Sequence, residues 1–227
     1  MKKLTVFIFL IFLSCTLFKK EEEPMPLAVD NWWAYQITTQ TMLSPKGLKS
    51  HLFQRLSKSP ATYIDTLKIV GKQTIEGVDG YVVFSSYDND TAGIYYYKND
   101  YLWFHYPEDA ISEKVFPEKP KIGDNWVGYE EKTEEWDFDG DGINDSMSIK
   151  TEYTIITKEN VSVLAGSFKD CYRTQMTATG KLWYSSTNQW QTIMTLSGNV
   201  WVKTGVGFVK LEITGYVTEE LMAYKVK

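Results

Sequence analysis

The sequence predicts a mainly β protein: an antiparallel meander whose curved sheets form a sandwich or a half-open barrel, with little helix. Three observations point there. The 227 residues include 15 Tyr, 11 Phe and 8 Trp, side chains that fit a pleated, half-buried surface. Long segments alternate apolar with polar residues at period two, the spacing of a strand buried on one face. Turn-forming clusters at Glu76-Gly77-Val78-Asp79-Gly80, Tyr87-Asp88-Asn89-Asp90, Lys98-Asn99-Asp100, Ala165-Gly166 and Thr204-Gly205 cut those segments at short intervals, so hairpins dominate.

At the N-terminus, Lys2 and Lys3 precede an apolar run from Leu4 to Leu13, followed by Ser14 and Cys15. That order is a signal peptide. The run is far shorter than the roughly 20 residues that span a membrane as a helix. Ser14-Cys15 resembles the lipobox of bacterial lipoproteins, although Phe12 and Leu13 depart from its strict form. The resemblance implies cleavage before Cys15 and lipidation of its sulfur. It also implies a palmitate-type membrane anchor in the cell envelope, at the outer membrane or cell surface, facing the periplasm or the exterior. Residues 1–14 are then the signal peptide, and residues 15–29, with Lys19-Lys20-Glu21-Glu22-Glu23-Pro24, are a tether too polar to bury.

Residues 30–227 read as a single β-rich domain. The clearest strands are Tyr81 to Phe84, Ile94 to Tyr97, Tyr153 to Thr157, Gly180 to Tyr184, Ile193 to Lys203 and Phe208 to Gly215. In the last, Val209, Leu211 and Ile213 are expected on one face, with Lys210 and Glu212 on the other. Helical spacing is limited to Lys46 to Ser57, where Leu48, Leu52 and Leu56 recur, and to a short turn near Glu108 to Val115. The prolines between Pro107 and Pro120 suggest a crossing between two possible halves, 30–106 and 121–227.

The halves share a weak similarity. Asp30-Asn31-Trp32-Trp33-Ala34-Tyr35 matches Asp124-Asn125-Trp126-Val127-Gly128-Tyr129, and Gly93 to Lys98 matches Gly198 to Lys203. Duplication and convergent hairpin chemistry both account for this.

Two C-terminal stretches, Ala165-Gly166-Ser167-Phe168-Lys169-Asp170-Cys171 and Val200-Trp201-Val202-Lys203-Thr204-Gly205-Val206-Gly207-Phe208-Val209-Lys210, are similar to the closing hairpins of a broad group of exported bacterial lipoproteins. The resemblance implies a domain type and no reaction. In physical terms Gly205 and Gly207 supply positive φ for a tight turn, and Trp201 is expected to meet Phe208 across the strands.

The formal net charge of -5 argues against nucleic acid as a partner, which needs clustered cations. With Cys15 lipidated, Cys171 has no disulfide partner and reads as a buried structural thiol.

One stretch carries recognisable chemistry: Trp136-Asp137-Phe138-Asp139-Gly140-Asp141-Gly142-Ile143-Asn144-Asp145-Ser146. It resembles the calcium loops of EF-hands, dockerins and thrombospondin type 3 repeats, with Asp137 at the first position and Gly142 at the sixth. The resemblance implies side-chain oxygens from Asp137, Asp139, Asp141 and Asp145 and the backbone carbonyl of Ile143. Calcium takes six to eight oxygens, which alternate carboxylates on a tight loop can supply. Ser148 stands where an EF-hand carries its bidentate glutamate, so the expected affinity is modest, on the order of 10⁻⁴ to 10⁻³ M. The alternative is four carboxylates solvating a hairpin tip.

No catalytic motif is present, neither Gly-x-Ser-x-Gly nor Ser-x-x-Lys, His-Glu-x-x-His, a phosphate-binding glycine loop or Cys-x-x-Cys. Three functional classes stay open: a membrane-anchored structural or interaction module with a protein or glycan partner, a carrier of a lipid or other apolar ligand in a half-barrel, and a carboxylate-based hydrolase. A filled core would favour the first, a deep apolar cleft the second, and facing carboxylates in a cleft the third. Trp32, Trp33, Tyr95, Tyr96, Tyr97, Trp103, Trp183 and Trp190 either fill such a core or line such a cleft.

Overall fold

The period-two alternation resolves into twelve strands. The computed structural model describes residues 22–40, 61–108 and 110–227, with the side chains of 134–136 outside that description. The strands are β1 (Trp32–Thr39), β2 (Ala61–Ile75), β3 (Val78–Ser85), β4 (Asp90–Lys98), β5 (Tyr101–Tyr106) and β6 (Ile111–Pro117), then β7 (Asn125–Trp136), β8 (Asp145–Val163), β9 (Gly166–Tyr184), β10 (Gln189–Lys203), β11 (Gly207–Ile213) and β12 (Val217–Lys225). There is no helix among the described residues. The expected helical segment, Lys46 to Ser57, lies outside them.

All twelve strands belong to one sheet, in the order β6-β5-β4-β3-β2-β1-β12-β11-β10-β9-β8-β7. Every paired strand is antiparallel; where a short turn joins two neighbours, the chain can only return beside itself. The first strand pairs with the last, Tyr35 opposite Leu221. The sheet curls until its free edges, β6 and β7, approach each other in a nearly closed barrel.

Side chains rather than ladder hydrogen bonds close that seam. Trp126 Nε1 on β7 donates to the Lys114 carbonyl on β6 at 2.9 Å, and the Trp126 ring stands edge-on to Phe116. Tyr153, on β8, reaches over β7 and donates its hydroxyl to Glu113 Oε1 on β6 at 2.7 Å. It passes because residue 128 is glycine: a Cβ there would lie 2.4 Å from Tyr153 Cε2 and 3.0 Å from the Lys114 carbonyl oxygen.

The inward faces form a filled core that includes Trp33, Tyr35, Ile69, Phe116, Ile155 and Met176. A smaller cluster of Val161, Cys171, Trp201 and Val209 is separate from it. Cys171 is fully buried, and burial pushes its thiol up to about 11, so the unreactive form dominates near neutrality.

Strand direction sorts the connections into two ends. Odd-numbered strands all run one way, so the described connecting residues 86–89, 107–108, 110, 137–144, 185–188 and 214–216 gather at one end, called here the loop end. Both described termini lie at the other, the terminal end, with connections 76–77, 99–100, 118–124, 164–165 and 204–206. Residues 22–31 plug the terminal end. Met25 is buried there, its carbonyl accepting the Tyr97 hydroxyl at 2.9 Å, while the Gly205 N–H donates to the Glu23 carbonyl at 2.8 Å. Buried Asn31 donates through Nδ2 to the Pro26 carbonyl at 2.8 Å and accepts the Lys227 N–H at 3.1 Å.

Several expectations need correction. The turn expected over Glu108 to Val115 ends at Ala110, and β6 follows, so the passage between halves is 118–124. Trp201 does not meet Phe208. A bulge between Trp201 and Val202 places Trp201 opposite Lys210 and Phe208 opposite Val202. Val209, expected beside Leu211 and Ile213, packs with Trp201 instead, because an extra residue in one strand reverses the faces beyond it. Gly205 and Gly207 do carry positive φ.

The similar motifs of the two halves occupy equivalent places in the topology. Asp30 to Tyr35 enters β1 and Asp124 to Tyr129 enters β7, six strands later, while Gly93 to Lys98 lies in β4 and Gly198 to Lys203 in β10.

Candidate metal centre

The β7–β8 connection at the loop end holds the acidic stretch, and hydrogen bonds within it shape the backbone around the carboxylates. Asp137 accepts the Gly140 N–H at 2.6 Å on one oxygen and the Gly142 N–H at 2.8 Å on the other. Asp141 accepts the Ile143 N–H at 2.8 Å. Gly142, with φ of 86°, makes the turn that brings its N–H back to Asp137.

Asp145 anchors the loop to the barrel. It is buried at 1% exposure, accepting the Phe138 N–H and the Ser185 N–H, both at 2.7 Å. The second of these fastens the β7–β8 connection to the β9–β10 turn. Ser186 adds to that attachment, donating both its backbone N–H, at 3.3 Å, and its hydroxyl to Asp139 Oδ2. The Ser185 hydroxyl donates to Asp141 Oδ2 at 2.7 Å. The Ser186 hydroxyl bond, foremost among several, holds the exposed Asp139 carboxyl below its ordinary value.

Three of the expected ligand residues come together. One carboxylate oxygen each from Asp137, Asp139 and Asp145 lies within 4.8 Å of the others. Calcium–oxygen distances of 2.3–2.6 Å allow ligand oxygens on opposite sides of an ion to stand about 5 Å apart, so the spacing suits a shared cation. Asp141 is not in that group; its carboxylate is turned to Ser185 and to the Ile143 N–H. The Ile143 side chain points to solvent, 60% exposed.

Sequence reading missed a second polar site inside the barrel mouth. Asp65 on β2 is buried, accepts the Ser85 hydroxyl at 2.9 Å and the Tyr87 N–H at 3.2 Å, and so holds the β3–β4 turn. Beside that turn opens a cavity of about 460 Å³. Glu113 reaches into it from β6, accepting the Tyr153 hydroxyl at 2.7 Å and, at 3.5 Å, that of Tyr106. Burial raises the Glu113 carboxyl above the ordinary value, against those two hydrogen bonds. No motif announces this site, because its residues come from six different strands and turns.

Comparison with known proteins gives the fold alone. No known family matches the sequence, and no curated protein does. Among solved structures, a candidate lipoprotein from Parabacteroides distasonis ATCC 8503 superposes with a TM-score of 0.50 at 13% identity, over 91% of this chain and 100% of that one. A candidate exported protein with a YmcC-like fold from Bacteroides fragilis NCTC 9343 gives a TM-score of 0.40 at 12% identity, over 90% of this chain and 99% of that one. The chain shares its barrel architecture with the first of these.

Proposed function

We propose that this chain is an extracytoplasmic lipoprotein, anchored to the cell envelope through Cys15, whose barrel acts as a structural or interaction module with one calcium ion in the 137–145 loop. The observation that carries the calcium assignment is the convergence of Asp137, Asp139 and Asp145 on a loop already tied to a second turn by Ser185 and Ser186. A divalent cation there would relieve the repulsion of three carboxylates and lock the two turns together. The remaining oxygens would come from water and from the Ile143 carbonyl, with Asp141 turning inward from Ser185.

Two features support the anchored module. The Lys2 to Cys15 pattern stands alongside a fold shared with a protein described as a candidate lipoprotein. The filled core matches a module more than a lipid carrier, since the cavity at the barrel mouth is lined by carboxylates as well as apolar groups. The plug at residues 22–31 would put the terminal end toward the membrane and the acidic loop away from it.

Isothermal titration of the calcium-stripped mature protein tests the metal reading. One saturable site is expected, abolished in Asp139→Asn. Absence of heat at millimolar calcium, with an unchanged melting temperature, would remove the assignment. Mass spectrometry of the envelope fraction tests the anchor: a diacylated or triacylated Cys15 at the N-terminus is expected, and an unmodified residue 1 on cytosolic protein would overturn it.

A further inference from the structure

We infer that the cavity at the loop end is a binding site for a small organic cation, an ammonium group on an apolar body. The inference goes beyond the structural reading above and depends on neither the lipid anchor nor the calcium loop. The cavity, about 460 Å³, falls in the range of small-ligand sites, about 300–1,000 Å³. Among the described lining residues are four carboxylates, those of Asp88, Asp90, Glu108 and Glu113, and no Lys or Arg.

An anion is disfavoured by that charge. A purely apolar ligand is disfavoured as well, because it would cover carboxylates without replacing their water, and an uncompensated buried charge is costly. An ammonium group meets both conditions. Glu113 sits in the cavity wall with one hydroxyl on each oxygen, from Tyr153 and, more weakly, from Tyr106. Each carboxylate oxygen can accept a second hydrogen bond, so acceptor capacity remains for an N⁺–H donor, and a charge-assisted bond there is among the stronger kinds.

The body of the ligand has a wall to rest on. The Phe104 ring packs between Tyr95, at 4.5 Å between centroids, and Tyr106, at 4.7 Å and edge-on. Aromatic faces attract a cation or an apolar ring alike. Leu67 and Val115 complete the apolar side. Tyr153 is fixed from behind by stacking on Trp126, at 5.2 Å and 16°, so Glu113 is held in place before any ligand arrives, which lowers the ordering cost of binding.

The test uses benzylamine as probe, titrated calorimetrically into the mature protein in amine-free buffer with a chelator present. Benzyl alcohol and benzoate serve as neutral and anionic comparisons of the same shape. The expected result is a 1:1 isotherm for benzylamine alone, with Kd on the order of 1 mM or tighter. Glu113→Gln should weaken it by roughly tenfold, as loss of a charge-assisted bond implies, and Asp90→Asn should weaken it less. Asp139→Asn, in the metal loop, should bind benzylamine like the parent, which separates this site from the calcium reading. Benzyl alcohol or benzoate binding as tightly as benzylamine would overturn the inference. So would no saturation by about 10 mM, or full affinity in a folded Glu113→Gln or Asp90→Asn protein.

Discussion

The two ends of the barrel are built from the same antiparallel turns and have opposite characters. The terminal end is stoppered by residues 22–31 and sealed by buried side chains: Met25, Asn31 and Trp33 leave almost no surface to solvent. The described connections of the loop end contain no Lys or Arg. Asp88, Glu108, Asp137, Asp139 and Asp141 stand there, and the first two line a cavity. Buried side chains seal one end, and exposed carboxylates crowd the other. A scaffold closed at one mouth can carry exposed carboxylates at the other without losing its core.

The largest effect is expected from the sealed end. Trp33 is fully buried and its Nε1 donates to the Val206 carbonyl at 2.6 Å, tying β1 to the β10–β11 turn. Trp33→Ala should cost about 4 kcal/mol, the sum of lost burial and an unfilled cavity. Trp33→Phe should cost less, because the ring volume is mostly kept while the carbonyl loses its donor. Urea unfolding of both variants measures the difference, and a Trp33→Ala protein as stable as the parent would dissolve the contrast between the ends.

The seam comes next, since it carries the packing of one end to the other. Gly128→Ala sets a methyl group against Tyr153 and the Lys114 carbonyl, so the ring must leave Glu113 or β7 must move away from β6. Overpacking of this kind costs about 1–3 kcal/mol. Hydrogen exchange should show β6 and β7 opening before β1 and β12; uniform protection in the variant would mean that the seam is held by something other than Tyr153 and Trp126.

These regions also differed in how far the sequence exposed them. Strands β9 and β10 were legible because apolar and polar residues alternate along parts of them, and β3 and β4 because runs of aromatic and β-branched residues are bounded by turn residues. β2 and β6 were not. Asp65 and Glu113 occupy inward positions where the pattern calls for an apolar residue, and the shortest side-chain hydrogen bond to each comes from a partner distant in sequence, Ser85 and Tyr153 respectively. Prolines at 107, 117 and 120 further disguised β6 as a crossing. Bulges hid the rest: the one opposite Trp201 and Val202 reverses the face that Val209 takes, and nothing local in Val200 to Lys210 marks it. The Asp-x-Asp-x-Asp-Gly spacing was readable because a metal loop is a local motif. Its attachment to Ser185 and Ser186, more than 40 residues away, was not.

Within the loop end, buried and exposed carboxylates should separate. Asp145→Asn keeps the shape but loses charge and one of two good acceptors for the Phe138 and Ser185 N–H groups, at a cost of about 2 kcal/mol in metal-free protein. Asp139→Asn, at an exposed site, should change metal-free stability by no more than about 0.5 kcal/mol. Calcium reverses the ranking of visibility: at a hundredfold excess over Kd it should stabilise the parent by about 2.7 kcal/mol and leave Asp139→Asn unmoved. Thermal melts with and without chelator give all four values, and equal calcium shifts in parent and variant would place the ion elsewhere.

The smallest effect is a change of slope with pH, and it tests whether Glu113 is held at a cost. Its carboxyl is raised by burial, with the Tyr153 and Tyr106 hydroxyls opposing the shift. Because the folded value lies above the unfolded one, the folded protein binds more protons through the interval between them. Stability contributed by the neutral acid is present below the unfolded value of about 4.5 and is lost as pH rises through the folded value. Glu113→Gln has no proton to lose, so relative to the parent it should gain stability as pH rises from about 4.5 through the folded value. Parallel urea midpoints for the two proteins across that range would show that Glu113 titrates as though in water. Saturation with a cationic ligand in the cavity should flatten the parent's decline by favouring the ionised carboxylate, while leaving the slope of Glu113→Gln as it was. The open mouth of the barrel would then be electrostatically unfinished without a ligand, in contrast to the sealed end, where Asn31, Tyr97 and Trp33 already have their hydrogen-bond partners within the chain.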